Sequence, residues 1–253
     1  MPHSTPTRNS NSFAWIADTV RNRGLFGAVR YYAGATVEFV RDLTPQRRRS
    51  RYGDIDYDFD HGVDTTWANV SLGTRLRELV SGGQYQASVP ELFHQILQAL
   101  SVAPEGFTFI DLGSGKGRTL LMASDYRFRR ILGVELLPEL NDIANKNIAA
   151  YRAERQKCFD IESFAGNARN FPFPQEPIVL YLFNPFPDYV LRTVLQNLHL
   201  SFATAPREIY VIYHNLVHED VFRSQPWLKE LHRTHQFAIY QAIYVSADPA
   251  LQG

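Results

Sequence analysis

The stretch Phe109-Ile-Asp-Leu-Gly-Ser-Gly-Lys-Gly-Arg118 carries the densest chemical information in the chain. An acidic residue, Asp111, closes a short apolar run, and Gly113, Ser114, Gly115 and Gly117 follow it directly. Glycines in that setting remove the Cβ atoms that would keep a ligand away from backbone N–H groups at a helix start. A phosphate-cradling P-loop requires G-x-x-x-x-G-K-[ST]. Ile110 occupies its first glycine position and Gly117 follows Lys116, so that reading fails twice. The dinucleotide fingerprint G-x-G-x-x-G would place its third glycine at Arg118, which weakens it. What remains is an acid-x-G-x-G-x-G pattern. Three further stretches join it: Gly133-Val134-Glu135, Ala165-Gly166-Asn167-Ala168, and Leu182-Phe183-Asn184-Pro185-Phe186-Pro187. Taken alone, Asp111 could order a loop, the glycines could make a bare turn, and Asn184-Pro185 could end a strand.

These residues need a scaffold that presents them together, and the pattern from residue 107 onward predicts one. Short apolar runs at Phe107–Asp111, Ile131–Glu135, Phe159–Phe164, Ile178–Phe183 and Glu208–Tyr213 read as strands. Helical stretches separate them at Gly117–Ser124, Pro138–Tyr151 and Asp188–Leu200. Near-continuous apolar strands indicate a sheet covered on both faces. Alternation with helices predicts an α/β fold built on a doubly wound, mostly parallel sheet. Trp227–Thr234 and Gln236–Val245 have little helix between them and predict an antiparallel hairpin at the C-terminal edge. Every motif then falls at the carboxyl end of a strand, where open sheets bind ligands. His214-Asn215 ends the fifth strand on that same edge.

Ahead of the sheet the chain has a different character. The 253 residues hold 26 basic and 26 acidic side chains, a formal net charge of zero. Residues 1–52 carry 9 basic against 3 acidic, and residues 53–253 carry 17 against 23. Neutrality is thus the sum of two unlike parts. The expected organisation is a disordered tail over 1–12, a helical extension and charged linker over 13–84, and the main domain over 85–253. Leu25, Phe26, Val29, Tyr32, Ala33, Thr36, Val37 and Val40 share one helical face ringed by Arg21, Arg23, Arg30 and Arg41. Such a face packs on the main domain or another subunit, or lies on an anionic membrane or acidic partner. Arg47 to Arg51, followed by Asp54, Asp56, Asp58 and Asp60, read as a solvated linker, and Gly62 to Thr66 as a turn. Pro90 opens a helix lined by Leu92, Phe93, Ile96, Leu97 and Leu100. The single cysteine, Cys158, excludes an internal disulfide and a cysteine-based zinc cage. No apolar run reaches membrane-spanning length and no secretory pattern opens the chain, so a cytoplasmic location is expected.

Asp111 to Gly117 resembles the first motif of class I, seven-strand S-adenosylmethionine-dependent methyltransferases. Glu135, Asn167-Ala168 and Asn184-Pro185 resemble the later motifs of that family in order. The resemblance implies S-adenosyl-L-methionine as cofactor, held by Asp111, Gly113, Ser114, Gly115, Gly117, Glu135, Asn167, Ala168 and Asn184. It makes Glu135 the partner of the ribose hydroxyls, at roughly 1.5–3 kcal/mol for each charge-assisted bond. A nicotinamide enzyme would use the same carboxylate, so Glu135 indicates a ribose rather than one cofactor. Asn167 stands where relatives often carry an acid against the adenine amino group, and its carbonyl can accept the same bond. Asn184 to Pro187 departs from the (D/N)-P-P-(Y/F) motif of amino-group methyltransferases, because Pro187 takes the aromatic position. Tyr85 to Pro90 is loosely like the hydroxyl-bearing stretch that relatives place near the methionine end, and Asp64-Thr65 could form a lid.

The implied reaction is in-line transfer of a methyl group to an N or O nucleophile of a small molecule or protein. Alignment is the protein's main contribution, worth roughly 7–11 kcal/mol. Asn184 would steer the nucleophile, Phe186 and Tyr181 would wall the transfer site, and His214 would serve as general base for a protonated nucleophile. Three other classes compete: an NAD-dependent oxidoreductase, a non-catalytic S-adenosylmethionine-binding protein, and an adaptor acting through residues 13–51.

Overall fold

The computed structural model describes residues 12–42, 55–66, 73–74, 87–184 and 186–244. The expected tail over 1–12, most of the linker, Tyr85 and Pro185 fall outside or at the border of these ranges. The main domain is one mixed sheet of seven strands. They are β1 (Thr108–Leu112), β2 (Arg130–Glu135), β3 (Ile161–Ala165), β4 (Ile178–Phe183), β5 (Ile209–His214), β6 (Leu228–Arg233) and β7 (Phe237–Ala242). Their order is β3-β2-β1-β4-β5-β7-β6. The first five run parallel, and β7 pairs antiparallel with both β5 and β6. The α/β fold with a C-terminal antiparallel hairpin is therefore as the sequence predicted.

Two-residue periodicity sends alternate side chains to opposite faces. Ile110 and Leu112 join one core with Leu191, Val194, Leu195, Leu198 and Phe202 of the helix Asp188–Thr204. Phe109 joins the other with Phe93, Ile96, Leu97 and Leu100 of the helix Pro90–Leu100. β3 departs from the continuous-burial expectation: as an edge strand it exposes Glu162, Phe164 and Ala165. The sequence also gave no signal for the short helix Glu219–Arg223.

The N-terminal helix Ser12–Asp42 is broken at Gly24, whose φ of 69° and ψ of 169° are not helical. The break sends the two halves in different directions. The first half docks on the sheet's carboxyl edge through an Asp18–Arg169 ion pair of 2.7 Å, an Arg23–Asp188 ion pair and a Thr19–Tyr189 hydrogen bond of 3.3 Å. The second half turns Ala28 inward and presents Leu25 and Phe26 at 72% and 84% exposure. Leu25, Phe26, Val29 and Val37 of the stripe thus face outward rather than packing on the domain, which leaves the face open to another subunit, a membrane or an acidic partner. None of the described helices is long and apolar enough to cross a membrane.

Order reversal between β1 and β4 opens a crevice at their carboxyl ends, the usual ligand position in such sheets. The turn after β1 can lie against β2 only because Gly133 has no side chain. A Cβ there would stand 2.6 Å from Leu120 Cδ1 and 2.8 Å from Ser114 Oγ. Gly133→Ala is expected to cost about 1–3 kcal/mol through overpacking, read from urea unfolding. Gly106→Ala, where a Cβ meets nothing within 4 Å, provides the control.

Candidate cofactor site at the carboxyl edge of the sheet

The turn after β1 is held by its backbone. Gly113 and Ser114 donate N–H bonds to the Val134 carbonyl at 2.8 and 3.2 Å, and Gly117 donates to Ser114 O at 2.8 Å. Gly113, Gly115 and Gly117 take φ values of 91°, 55° and 84°, a region costly for residues with a Cβ. Glu135 closes the arrangement. Its Oε2 accepts from the Gly115 amide at 2.9 Å and its Oε1 from the Leu137 amide at 2.8 Å. Each carboxylate oxygen keeps a further lone pair for a ligand hydroxyl.

This turn borders a cavity with an empty volume of about 1060 Å³, including its opening to solvent. Seven of the expected residues line it: Asp111, Gly113, Ser114, Gly115, Glu135, Asn167 and Ala168. Gly117, Asn184 and His214 do not. Gly117 instead caps the helix Arg118–Ala123 and packs on Ala144, whose Cβ would be 3.1 Å from an added Cβ. Asn184 adopts a φ of 39° and accepts from Tyr213 Oη through Oδ1 at 3.1 Å. His214 is buried, stacks on Phe183 at 3.9 Å between ring centroids, and shares a 2.7 Å hydrogen bond with Tyr181 Oη through Nδ1. Burial pushes its pKa down to about 4, so the ring is neutral at neutral pH and a weak base. Asn167 Oδ1 also has a local partner, the Arg169 amide at 3.0 Å. Phe186 lines the cavity, whereas Tyr181 lies fully buried behind it.

Asp111 is the cavity's unusual group. Burial raises its carboxyl pKa to about 8, the Glu135 charge adds to the rise, and a Thr119 hydrogen bond opposes it. Burial raises Glu135 as well, against the lowering effect of its backbone bonds. Two buried acids thus share a wall that Arg118 also lines, with its guanidinium bonded to Asp58 and Thr65. Ser114 Oγ, also on the wall, is buried without a hydrogen-bond partner. Ser88, from the stretch singled out before the first core helix, lines the wall and links Thr119 Oγ1 and Tyr181 Oη at 3.3 Å each.

Sequence reasoning missed the two cations inside the glycine turn. Lys116 is 0% exposed, and its Nζ donates to Asp64 Oδ1 and Thr66 O, both at 2.7 Å. Arg118 is 2% exposed and donates to Thr65 Oγ1 at 2.5 Å and Asp58 Oδ1 at 3.1 Å. Its guanidinium also lies 4.7 Å from the Tyr57 ring centroid. These bonds strap residues 55–66, including the helix Ile55–His61, onto the cofactor turn. Asn147 staples the same pair of segments, donating to Asp64 O at 2.8 Å and Lys116 O at 2.9 Å. Asp58, read as one of four solvated acids, is a hub: it also accepts from the Thr65 and Thr66 amides at 2.8 Å each.

Seven strands in this order, a glycine turn after β1 and an acid ending β2 match the fold expected of class I methyltransferases, a mostly parallel sheet closed by an antiparallel hairpin. A family model described as Histone methylation protein DOT1 matches residues 77–174, which is less than half of the chain. No match is found among curated proteins. Solved structures that resemble the chain include TrmN from Thermus thermophilus, at 14% identity and a TM-score of 0.47, over 61% of this chain and 49% of that one. An RNA methyltransferase from Salinibacter ruber in complex with S-adenosyl-L-homocysteine matches at 19% identity and a TM-score of 0.42, over 64% and 97%. A dimethyladenosine transferase from Plasmodium falciparum matches at 11% identity and a TM-score of 0.45, over 63% of each chain. The chain therefore spans about half the length of the Thermus thermophilus structure.

Asp58→Ala is expected to cost about 3–5 kcal/mol in urea unfolding, since it leaves the buried Arg118 without its carboxylate. Asp60→Ala, two residues away and exposed, should stay within about 0.5 kcal/mol. A pH series tests Asp111. Its folded-state pKa exceeds that of the unfolded chain, so between about pH 4 and 8 the folded state retains a proton that the unfolded state has lost. Its contribution therefore makes the protein less stable as pH rises across that window. Asp111→Asn should flatten the fall in melting temperature and raise it at pH 8.

Proposed function

We propose that the chain transfers a methyl group from S-adenosylmethionine to an N or O nucleophile, with a protein side chain as the favoured acceptor. The observation that carries this reading is the Glu135 carboxylate bonded at once to the Gly115 and Leu137 amides, beside a buried Asp111. That pair of acids, the orphaned Ser114 hydroxyl and the apolar wall of Leu137, Leu140, Phe183 and Phe186 suit a cationic, ribose-bearing ligand. The description of the matching family names histone methylation, which supports a protein acceptor.

When bound, S-adenosylmethionine would supply a sulfonium methyl group for in-line displacement by the acceptor, with S-adenosylhomocysteine as leaving group and the acceptor's proton lost to solvent. Asp111, with Ser88 and Thr119 beside it, would hold the methionine end, where a ligand ammonium would favour the ionised carboxylate, its proton passing to solvent. Glu135 would take the ribose hydroxyls, while Asn167 and Ala168 would border the base. Phe183 and Phe186 exclude water from the transfer region. His214 works through Tyr181 and Ser88 as a positioning residue, and Asn184 shapes the turn after β4 through Tyr213 rather than steering the nucleophile directly.

Thermal-shift and calorimetric measurements should show stabilisation by S-adenosylmethionine and by S-adenosylhomocysteine but not by NAD. Gly115→Val, which places a branched residue at φ 55°, should abolish that binding. Transfer of a labelled methyl group to histones or other basic proteins checks the acceptor. Stabilisation by NAD alone would favour an oxidoreductase, and binding without transfer a non-catalytic role.

A further inference from the structure

The first half of the N-terminal helix does more than attach to the domain. Trp15 and Asp18, one turn apart on a single helical face, line the cofactor cavity. That segment lies outside the matched stretch 77–174. Asp18 Oδ2 is held by Arg169 Nη1 at 2.7 Å. Arg169 is itself fixed, because its amide donates to Asn167 Oδ1 and its carbonyl accepts from Asn197. Thr19 is buried and meets both Tyr189 Oη at 3.3 Å and Tyr32 Oη at 3.1 Å. Arg23 pairs with Asp188 and lies 4.8 Å from the centroid of Tyr31. Helix and cavity wall are therefore joined at two turns, the one after β3 and the one after β4.

The cavity has two chemically unlike ends. Ser88, Asp111 and Thr119 form one, and Gly166, Asn167, Ala168 and Arg169, at the end of β3, form the other. β3 is separated from β1 by β2, so Arg169 stands at the end remote from Asp111. Asp18 belongs to this remote end through its pair with Arg169, and Trp15, one turn before it on the same helical face, also lines the cavity. An indole offers a flat π surface, and a carboxylate offers acceptors for an exocyclic amine. Purine bases present both a π face and, in adenine, an amine donor. Asp18 keeps unused lone pairs beyond those given to Arg169 and to Asn22 Nδ2 at 3.1 Å.

We propose that the N-terminal helix supplies the purine-recognition half of the site, with Trp15 stacking on the base and Asp18 accepting from its 6-amino group. This deepens the reading of the cavity as an S-adenosylmethionine site and rests on it. Recognition of the cofactor then requires the extension ahead of the sheet, and a partner that displaces this helix weakens cofactor binding.

Calorimetry on the full chain tests the proposal, with S-adenosylmethionine, adenosine and inosine as ligands. Trp15→Ala should raise the Kd for S-adenosylmethionine and for adenosine by a similar factor, about tenfold. Trp15→Phe should restore most of the affinity. Wild type should prefer adenosine to inosine, and Asp18→Asn should shrink that preference, because an amide can donate to the 6-oxo group. A change of base preference is not expected from mere loosening of the helix, and Trp15→Phe and Asp18→Asn serve if Trp15→Ala does not fold. Unchanged affinity in Trp15→Ala, beside a wild type that binds, overturns this proposal alone. Loss for S-adenosylmethionine but not adenosine puts the helix over the methionine end and also overturns it. Absence of any S-adenosylmethionine binding by wild type removes the cofactor reading and this proposal together.

Discussion

Glu135 sits between the amides of Gly115 and Leu137, and the rest of the site follows from that one carboxylate. By accepting from both, it joins the end of β2 to the turn after β1 and keeps the latter folded back over the sheet. The geometry crowds any side chain at Gly133 against Leu120 and Ser114 and demands left-handed backbone at Gly113, Gly115 and Gly117. It also sets Asp111 in the cavity wall, while Lys116 and Arg118 donate to the strap over residues 55–66.

Charge is distributed on two sides of this turn in opposite ways. On the strap side, each buried cation meets a carboxylate, Lys116 with Asp64 and Arg118 with Asp58, and the strap's backbone supplies further bonds. Buried pairs of this kind contribute little net stability against an apolar replacement, yet losing one partner is expensive. They therefore specify where the strap lies. On the cavity side, burial raises the pKa values of both Asp111 and Glu135, and the Glu135 charge raises that of Asp111 further. That side is relieved by a cation or by retained protons. The strap's ion pairs give the turn a fixed footing.

The N-terminal helix extends the same logic across the crevice. Its break at Gly24 lets one half join Arg169, Asp188 and Tyr189 while the other leaves Leu25 and Phe26 in solvent. An uninterrupted helix could not turn its two halves independently. The local backbone freedom of one glycine thus separates a cavity-building segment from an outward apolar face.

The parallel strands, the glycine turn and the acid ending β2 were legible in the sequence, because they depend on local patterns: runs of apolar residues, a missing Cβ, a residue type at a strand end. The placement of Asp111, Glu135, Asn167 and Ala168 on one edge followed from strand–helix alternation alone. The fate of Asp58 was not legible, since an acid in a run of four acids looks like any other until Arg118 is found beside it. Nor could spacing show that Asn184 would turn its carbonyl to Tyr213, or that His214 would lose its charge behind Phe183. Sequence by itself determined which elements form and which residues lie at the sheet's carboxyl edge, because hydrophobic period and backbone preference act over a few neighbouring residues. Only the tertiary structure decided which of those residues face the cavity and how residues 15–23 and 55–66 close upon it. Those outcomes rest on partners 50 to 170 positions apart in the chain, brought within bonding distance by folding.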